Sequence, residues 1–160
     1  ALQLAKLAGA RVFITSSSDE KLEHARALGA DETLNYLERQ DWDNWALDLT
    51  NKRGVDHVIE IGGAGTLQRS MRATRMGGHI AVIGVIAGKG EYSHTPIFMK
   101  ALRMIGVFVG SRDMFEDMNR AIEESKMRPV IDRTFAFDEA REALKFMKEG
   151  SHFGKIVITI

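Results

Sequence analysis

The 160-residue chain has no cysteine, which excludes disulfides and cysteine-ligated zinc within it and fits a cytoplasmic origin. Neither charge is in excess: Lys+Arg and Asp+Glu each total 22, for a formal net charge of zero. With no Lys/Arg-rich run besides, recognition of nucleic acid through bulk charge is excluded. Long apolar runs are missing too. The longest, 55–61 and 80–86, are strand-sized and too short to span a bilayer, so no membrane partner is expected. His24, His94 and His152 lack metal-ligand spacing with a Cys, Asp or Glu, and no metal site is expected. An initiator Met is also missing. Residues 1–10 have no N-cap and read as the back half of a helix stopped by Gly9, so the chain is expected to be a fragment.

The composition that remains, 44% apolar and 28% charged, is that of a soluble globular protein, one domain or one domain with an appendage. Strand and helix patterns alternate along it. Strands are expected over 11–15, 32–35, 55–61, 79–84, 104–109 and 155–160, with 130–137 extended. Helices are expected over 1–8, from Ser17 to about Leu28, and over 38–51, 67–75, 97–102, 115–126 and 138–148. Ser17 with Glu20 three residues on reads as a capping box, and Leu22, Ala25 and Leu28 face the sheet. Trp42, Trp45 and Leu49 at i, i+3, i+7 form another packed face, as do Met118, Ala121 and Ile122. Met71, Met76, Met99, Met104 and Met118 are expected core residues. Near-continuous apolar strands between helices predict an α/β fold with a doubly wound parallel sheet covered on both faces. The one candidate boundary lies near Pro129, where regular alternation stops.

Ligands of open α/β sheets bind at the carboxyl ends of the strands. The first strand here runs into Ser16-Ser17-Ser18, where the adenosine ribose of a dinucleotide would lie. A carboxylate there would bond the 2′-hydroxyl of NAD; small neutral hydroxyls leave room for the 2′-phosphate of NADP. A phosphomonoester carries about −1.5 to −2 charges, and each unit pair with a carboxylate at about 4 Å would cost roughly 4 kcal/mol at an effective dielectric of 20. Serine removes that repulsion and can donate, and Lys21 adds a point charge one helical turn on. Asp19 and Glu20 lie close by and oppose the argument. Plainer readings stand beside it: serines as cap and turn, Lys21 as a solvated helix residue, Tyr36 as a half-buried aromatic, Gly62-Gly63 and Gly77-Gly78 as turns. His57 and His79 read as structural, and Glu60 as facing a loop or the packing rather than as a general base.

The runs Ala5-Lys6-Leu7-Ala8-Gly9-Ala10-Arg11-Val12, Ser16-Ser17-Ser18-Asp19-Glu20-Lys21-Leu22, Ala27-Leu28-Gly29-Ala30-Asp31 and Asn35-Tyr36 resemble the medium-chain dehydrogenase/reductase superfamily. Gly54-Val55-Asp56-His57-Val58, Gly77-Gly78-His79-Ile80, Val109-Gly110-Ser111-Arg112, Phe137-Asp138-Glu139-Ala140 and Phe153-Gly154-Lys155-Ile156-Val157 extend the likeness over essentially the whole chain. The match is closest to the alcohol dehydrogenase-like and quinone oxidoreductase-like members. Their order and spacing together carry it.

The resemblance implies a Rossmann-like NAD(P)-binding domain over residues 1–129, lacking its first strand and glycine-rich turn, and a segment over 130–160 that returns to the catalytic domain. In the strand order 3-2-1-4-5-6 the missing strand is the middle one, so a gap of roughly 10 Å is expected between its neighbours. The function implied is the cofactor-binding part of an oxidoreductase passing hydride between NADPH and an alcohol/carbonyl or quinone/enone substrate. NADP is expected over NAD because Ser16 stands where NAD-preferring relatives have Asp. Ser17, Lys21 and Tyr36 fall on the same end, Lys21 and Tyr36 matching positions that hold the 2′-phosphate. Gly62 and Gly63 approach the adenosine side, and Gly84, Val85, Ile86, Phe108, Val109 and Gly110 surround the nicotinamide riboside. Gly154 and Lys155 sit near the pyrophosphate or ribose. No catalytic acid, base or nucleophile maps onto the chain, and zinc ligands, where the family has them, would lie outside it. The strand from Met104 to Val109 is expected at a sheet edge, pairing with its mate in a homodimer. The rival reading is a non-catalytic fragment whose main property is that assembly.

Overall fold

In the computed structural model every residue except Val85, Ala87 and Lys89 is described. The chain runs α1 (Leu2–Leu7), β1 (Phe13–Ser16), α2 (Asp19–Ala27), β2 (Glu32–Asn35), α3 (Trp42–Leu49), β3 (Val55–Glu60), α4 (Leu67–Ala73) and β4 (Thr74–Val82). It continues through α5 (Thr95–Met99), β5 (Arg103–Gly106), α6 (Arg112–Glu124), β6 (Ile131–Ala136), a 3-10 turn (Phe137–Glu139), α7 (Ala140–Glu149) and β7 (Lys155–Thr159). Every strand pair is parallel: β1 with β2, β3 with β4, β4 with β5, and β6 with β7. Parallel neighbours need a crossover, which α2, α4, α5 and α7 provide. No helix among the described residues is long and apolar enough to cross a membrane.

The sheet is not continuous. Hydrogen bonding gives the orders β1-β2, β3-β4-β5 and β6-β7 among the described residues. The break between β1 and β3 falls where the expected strand order has its middle strand. Two helices join the halves instead. Asp43 of α3, 1% exposed, lies 3.7 Å from Arg69 and 3.2 Å from Arg72 of α4, and Arg72 also donates to Asn44 at 3.3 Å.

The densest packing lies under the three-stranded sheet, where Leu67, Met71, Ile80 and Leu102 are buried against Val58, Val82, Ile97 and Met104. α2 buries Leu22 and Ala25 as its pattern predicts. Several expectations are corrected. Met76, Met99 and Met118 are exposed, because an apolar side chain is buried only where an opposing surface exists. α6 has a well-formed apolar stripe and a Ser111 cap, yet buries no residue. α3 is shorter than expected and buries Asp43 and Ala46 rather than its tryptophans, although Trp45 does pack on Phe13, ring centroids 5.6 Å apart. β5 stops at Gly106, short of Val109. Gly77-Gly78 are not a turn leading into the strand but lie inside β4, which begins at Thr74, where the register jumps from Val55↔Thr74 to His57↔His79. Gly77 has φ 68°, and a Cβ on Gly78 would stand 2.5 Å from the Thr74 methyl, so this bulge needs both glycines. His57 and His79 stack in parallel, centroids 5.1 Å apart, on the open face of the sheet.

Candidate functional site

The strand ends form two clusters, one at β1 and β2, the other at β3 and β4. At the first, Ser16 closes β1 and its Oγ accepts from Ser18 N at 3.2 Å. Ser18 is the helix cap, accepting from Lys21 N at 3.3 Å. The expected cap at Ser17 is thus displaced by one residue: β1 extends through Ser16, so the turn begins later and Ser17 is left facing solvent. Ser16 pairs in register with Asn35, and Tyr36 N donates to the Ser16 carbonyl at 3.0 Å. Asn35 in turn donates to Asp19 at 2.9 Å and accepts from Leu37 N at 3.0 Å. Ser16, Ser17 and Tyr36 are therefore brought together, with the Asp19 carboxylate held beside them by Asn35. Tyr36 is 41% exposed. Lys21 points elsewhere: its Nζ donates to Gly150 O at 2.6 Å, at the C-terminus of α7, where the helix dipole favours a cation.

The last strand pair approaches the same helix. His24 of α2 meets the Phe153 ring edge-on at 5.1 Å. Phe153 N donates to Asp132 at 3.0 Å. Gly154 has φ 105°, and a Cβ there would stand 2.6 Å from the Val130 carbonyl oxygen, so this turn accepts glycine alone. Lys155 opens β7 with an exposed side chain, its N–H bonded to Val130 O at 2.9 Å.

The second cluster is organised by Glu60, 3% exposed at the end of β3. Its Oε1 accepts from Gly62 N at 2.8 Å, Gly63 N at 2.9 Å and Thr66 Oγ1 at 2.5 Å, and its Oε2 from Ser70 Oγ. Thr66 opens α4 as expected, but its hydroxyl serves Glu60 rather than the helix amides. Gly84 at the end of β4 lies flush against this loop: a Cβ on it would fall 2.0 Å from the Ile61 carbonyl oxygen. Val85 lies outside the described residues. Ile86 is 80% exposed, Phe108 96% and Val109 74%, and Gly110 is exposed with them. The structure does not bring these four against the glycine loops. Sequence patterns missed Thr66 and Ser70 as Glu60 donors. The available signal is a carboxylate at a strand end followed by Gly-Gly and then by hydroxyls on the next helix.

A family model described as a zinc-binding dehydrogenase matches residues 1–124. The chain belongs to that family. A zinc-type alcohol dehydrogenase-like protein of Schizosaccharomyces pombe is 42% identical over 165 residues, covering 100% of this chain and 48% of its own length. The crystal structure of a putative alcohol dehydrogenase from Sinorhizobium meliloti 1021 superposes with TM-score 0.91 at 44% identity, covering 99% of this chain and 46% of that one. A structure described as an NAD-dependent alcohol dehydrogenase gives TM-score 0.88 at 35% identity, over 100% and 47% of the two chains. The chain thus spans about half the length of the relatives it matches. Its fold is that of the Rossmann-like domain of medium-chain alcohol dehydrogenases. The cofactor class of this family fits the residues present: neutral hydroxyls at the β1 end and turns that only glycine fills. Zinc does not fit them in the same way. No three His, Cys, Asp or Glu side chains gather among the described residues.

Proposed function

We propose that the chain is the cofactor-binding portion of an NAD(P)-dependent oxidoreductase acting on an alcohol or carbonyl, or on a quinone or enone, with NADPH preferred. The bound nicotinamide would supply the hydride, and this chain would hold and select the cofactor. The observation that carries the reading is Ser16: an uncharged side chain at the carboxyl end of β1, paired with Asn35 and next to Tyr36. Ser17 and the first turn of α2 complete that end, which would receive the adenosine 2′ group. Lys21 reaches a 2′-phosphate only by leaving Gly150. Gly62, Gly63 and Gly84 would bring backbone close to the cofactor further along, and Ile86, Phe108, Val109 and Gly110, exposed in this structure, would meet the nicotinamide only on moving toward it. Gly154 and Lys155 would meet the pyrophosphate or ribose. The residues of chemistry lie elsewhere in the parent protein.

Two similar proteins are described as NAD-dependent, so the cofactor comparison decides. Calorimetric titration of the full-length protein should give NADPH binding at least about tenfold tighter than NADH, roughly 1.4 kcal/mol. Ser16→Asp should reverse the order. Tighter NADH binding by the unaltered protein would sink the preference.

A second reading concerns assembly. Among the described residues β5 is an edge strand, bonded to β4 alone, and its apolar continuation Val107, Phe108 and Val109 is exposed. Such an edge is a hazard unless covered. Pairing of two β5 strands in a homodimer would cover it.

A further inference from the structure

Glu60 is a buried carboxylate that the proposed chemistry does not use. Its four side-chain hydrogen bonds go to Gly62, Gly63, Thr66 and Ser70. Its main-chain carbonyl is engaged as well, accepting from Ile83 N at 2.8 Å and Gly84 N at 3.2 Å. One residue therefore holds two loops: 61–66, which follows β3, and the start of the loop after β4. The second rests directly on the first, since Gly84 abuts the Ile61 carbonyl.

The bonding also decides what the Gly62-Gly63 turn can offer. Successive amides with no acceptor of their own form an anion-binding concavity, but both of these amides point inward onto Glu60. The turn cannot grip a phosphate with them. Its place is set instead by the carboxylate beneath, with Gly63 buried and Gly62 packed so closely on Thr66 that a Cβ would stand 2.3 Å from that hydroxyl. Charge-assisted bonds are the stronger kind, and low accessibility at Glu60 excludes competing water.

We propose that Glu60 is the positioning residue of the nucleotide site: its carboxylate fixes loop 61–66, and through it the start of the loop after β4 that rests on 61–66, so that both stand at the height the cofactor meets. This rests on the nucleotide-binding reading given above. Glu60 touches no substrate and transfers no proton. Glu60→Ala removes the acceptor for the two amides and two hydroxyls at once. Glu60→Gln keeps Oε1 for Gly62, Gly63 and Thr66 and turns its amide nitrogen toward Ser70.

The test uses the full-length protein, with hydrogen exchange read in the absence of nucleotide and steady-state kinetics read with NADPH and NADH. In Glu60→Ala, exchange at Gly62 and Gly63, whose acceptor is the removed carboxylate, should accelerate, while Gly84 keeps its main-chain acceptor. KM for the preferred nucleotide should rise about tenfold while kcat at saturation changes less than about threefold, as loss of a buried hydrogen-bond set predicts. Glu60→Gln should return KM to within about threefold of the unaltered protein, since three of its four donors keep their acceptor. Should the alanine variant not fold, Thr66→Val provides the same readouts from one lost hydroxyl, with a KM rise of about threefold expected. Unchanged exchange and unchanged KM in a folded Glu60→Ala or Thr66→Val variant would overturn the inference, as would a fall in kcat with KM unaltered. If the unaltered protein binds neither nucleotide, the functional reading fails, and the exchange data still decide whether the Glu60 carboxylate fixes loop 61–66.

Discussion

Ser16 and Lys21 lie on the same turn, and the structure treats them differently. Ser16 is fixed by local bonds to Ser18 and Tyr36, so Ser16→Asp puts a carboxylate at the strand end without displacing the backbone. Its effect on the NADPH to NADH ratio is then an electrostatic one. Lys21 is tied to a carbonyl 129 residues away, a partner that no local spacing could disclose. A sharper case of charge pairing is Asp56. Arg53 and Arg75 both donate to its carboxylate and hold it well below the usual carboxylate range. The folded protein therefore binds this proton less tightly than the unfolded chain, and the pairing stabilises the fold above the unfolded value near pH 3.9, then fades as pH falls. Since the acid is 48% exposed, the gain is discounted to about 0.5–1 kcal/mol. Urea denaturation of Asp56→Asn should show that deficit at pH 7 and a shrinking one as pH falls below about 4. A deficit that stays constant into acid would refute the pairing as its source.

Among the elements, α3 and α4 matter most because they connect sheets that share no strand pairing among the described residues. Asp43 is the buried half of that joint, while Arg69 and Arg72 are 39% and 55% exposed. Removing the acid leaves arginines that can hydrate, so Asp43→Ala should cost about 1–2 kcal/mol, less than the 3–5 kcal/mol of a fully buried broken pair. Chemical denaturation of the full-length protein measures it, and a variant as stable as the parent would show that the two helices dock without the ion pair. The elements themselves were largely legible. Gly9, Gly29 and Gly54 end helical patterns where expected, and Leu22 with Ala25 identifies the inner face of α2. The cap at Ser18 was not, because three consecutive serines offer equivalent caps and only the length of β1 chooses among them. Nor was Asp43: a charged residue beside Trp42 reads as solvent-facing until α4 brings two arginines over it.

For the molecule as a whole, the open edge at β5 sets the assembly prediction. Val107 N donates to Val82 O, so odd-numbered residues from 103 to 107 bond inward to β4, and the amides of 104 and 106 face the open side. Gly106→Pro removes an outward donor and leaves the β4 ladder intact. A Cβ at Gly106 meets nothing within 4 Å, so the change is sterically mild. Sedimentation of the full-length protein should give a dimer for the parent and a monomer for the variant. A monomeric parent, or a variant that remains dimeric, would exclude edge pairing through β5.

Alternating apolar strands and amphipathic helices determined the α/β class, the parallel pairing and the family, because each depends on local periodicity and on motifs in a fixed order. The same residues placed Ser16 at a strand end and Glu60 at another. What Glu60 does there was decided only in three dimensions: a carboxylate is buried when several donors converge on it, and these come from a glycine turn and from a helix beyond it. The exposed stripe of α6 makes the complementary point. Amphipathicity is written in the sequence, but burial needs a second surface, and tertiary structure alone supplies or withholds it.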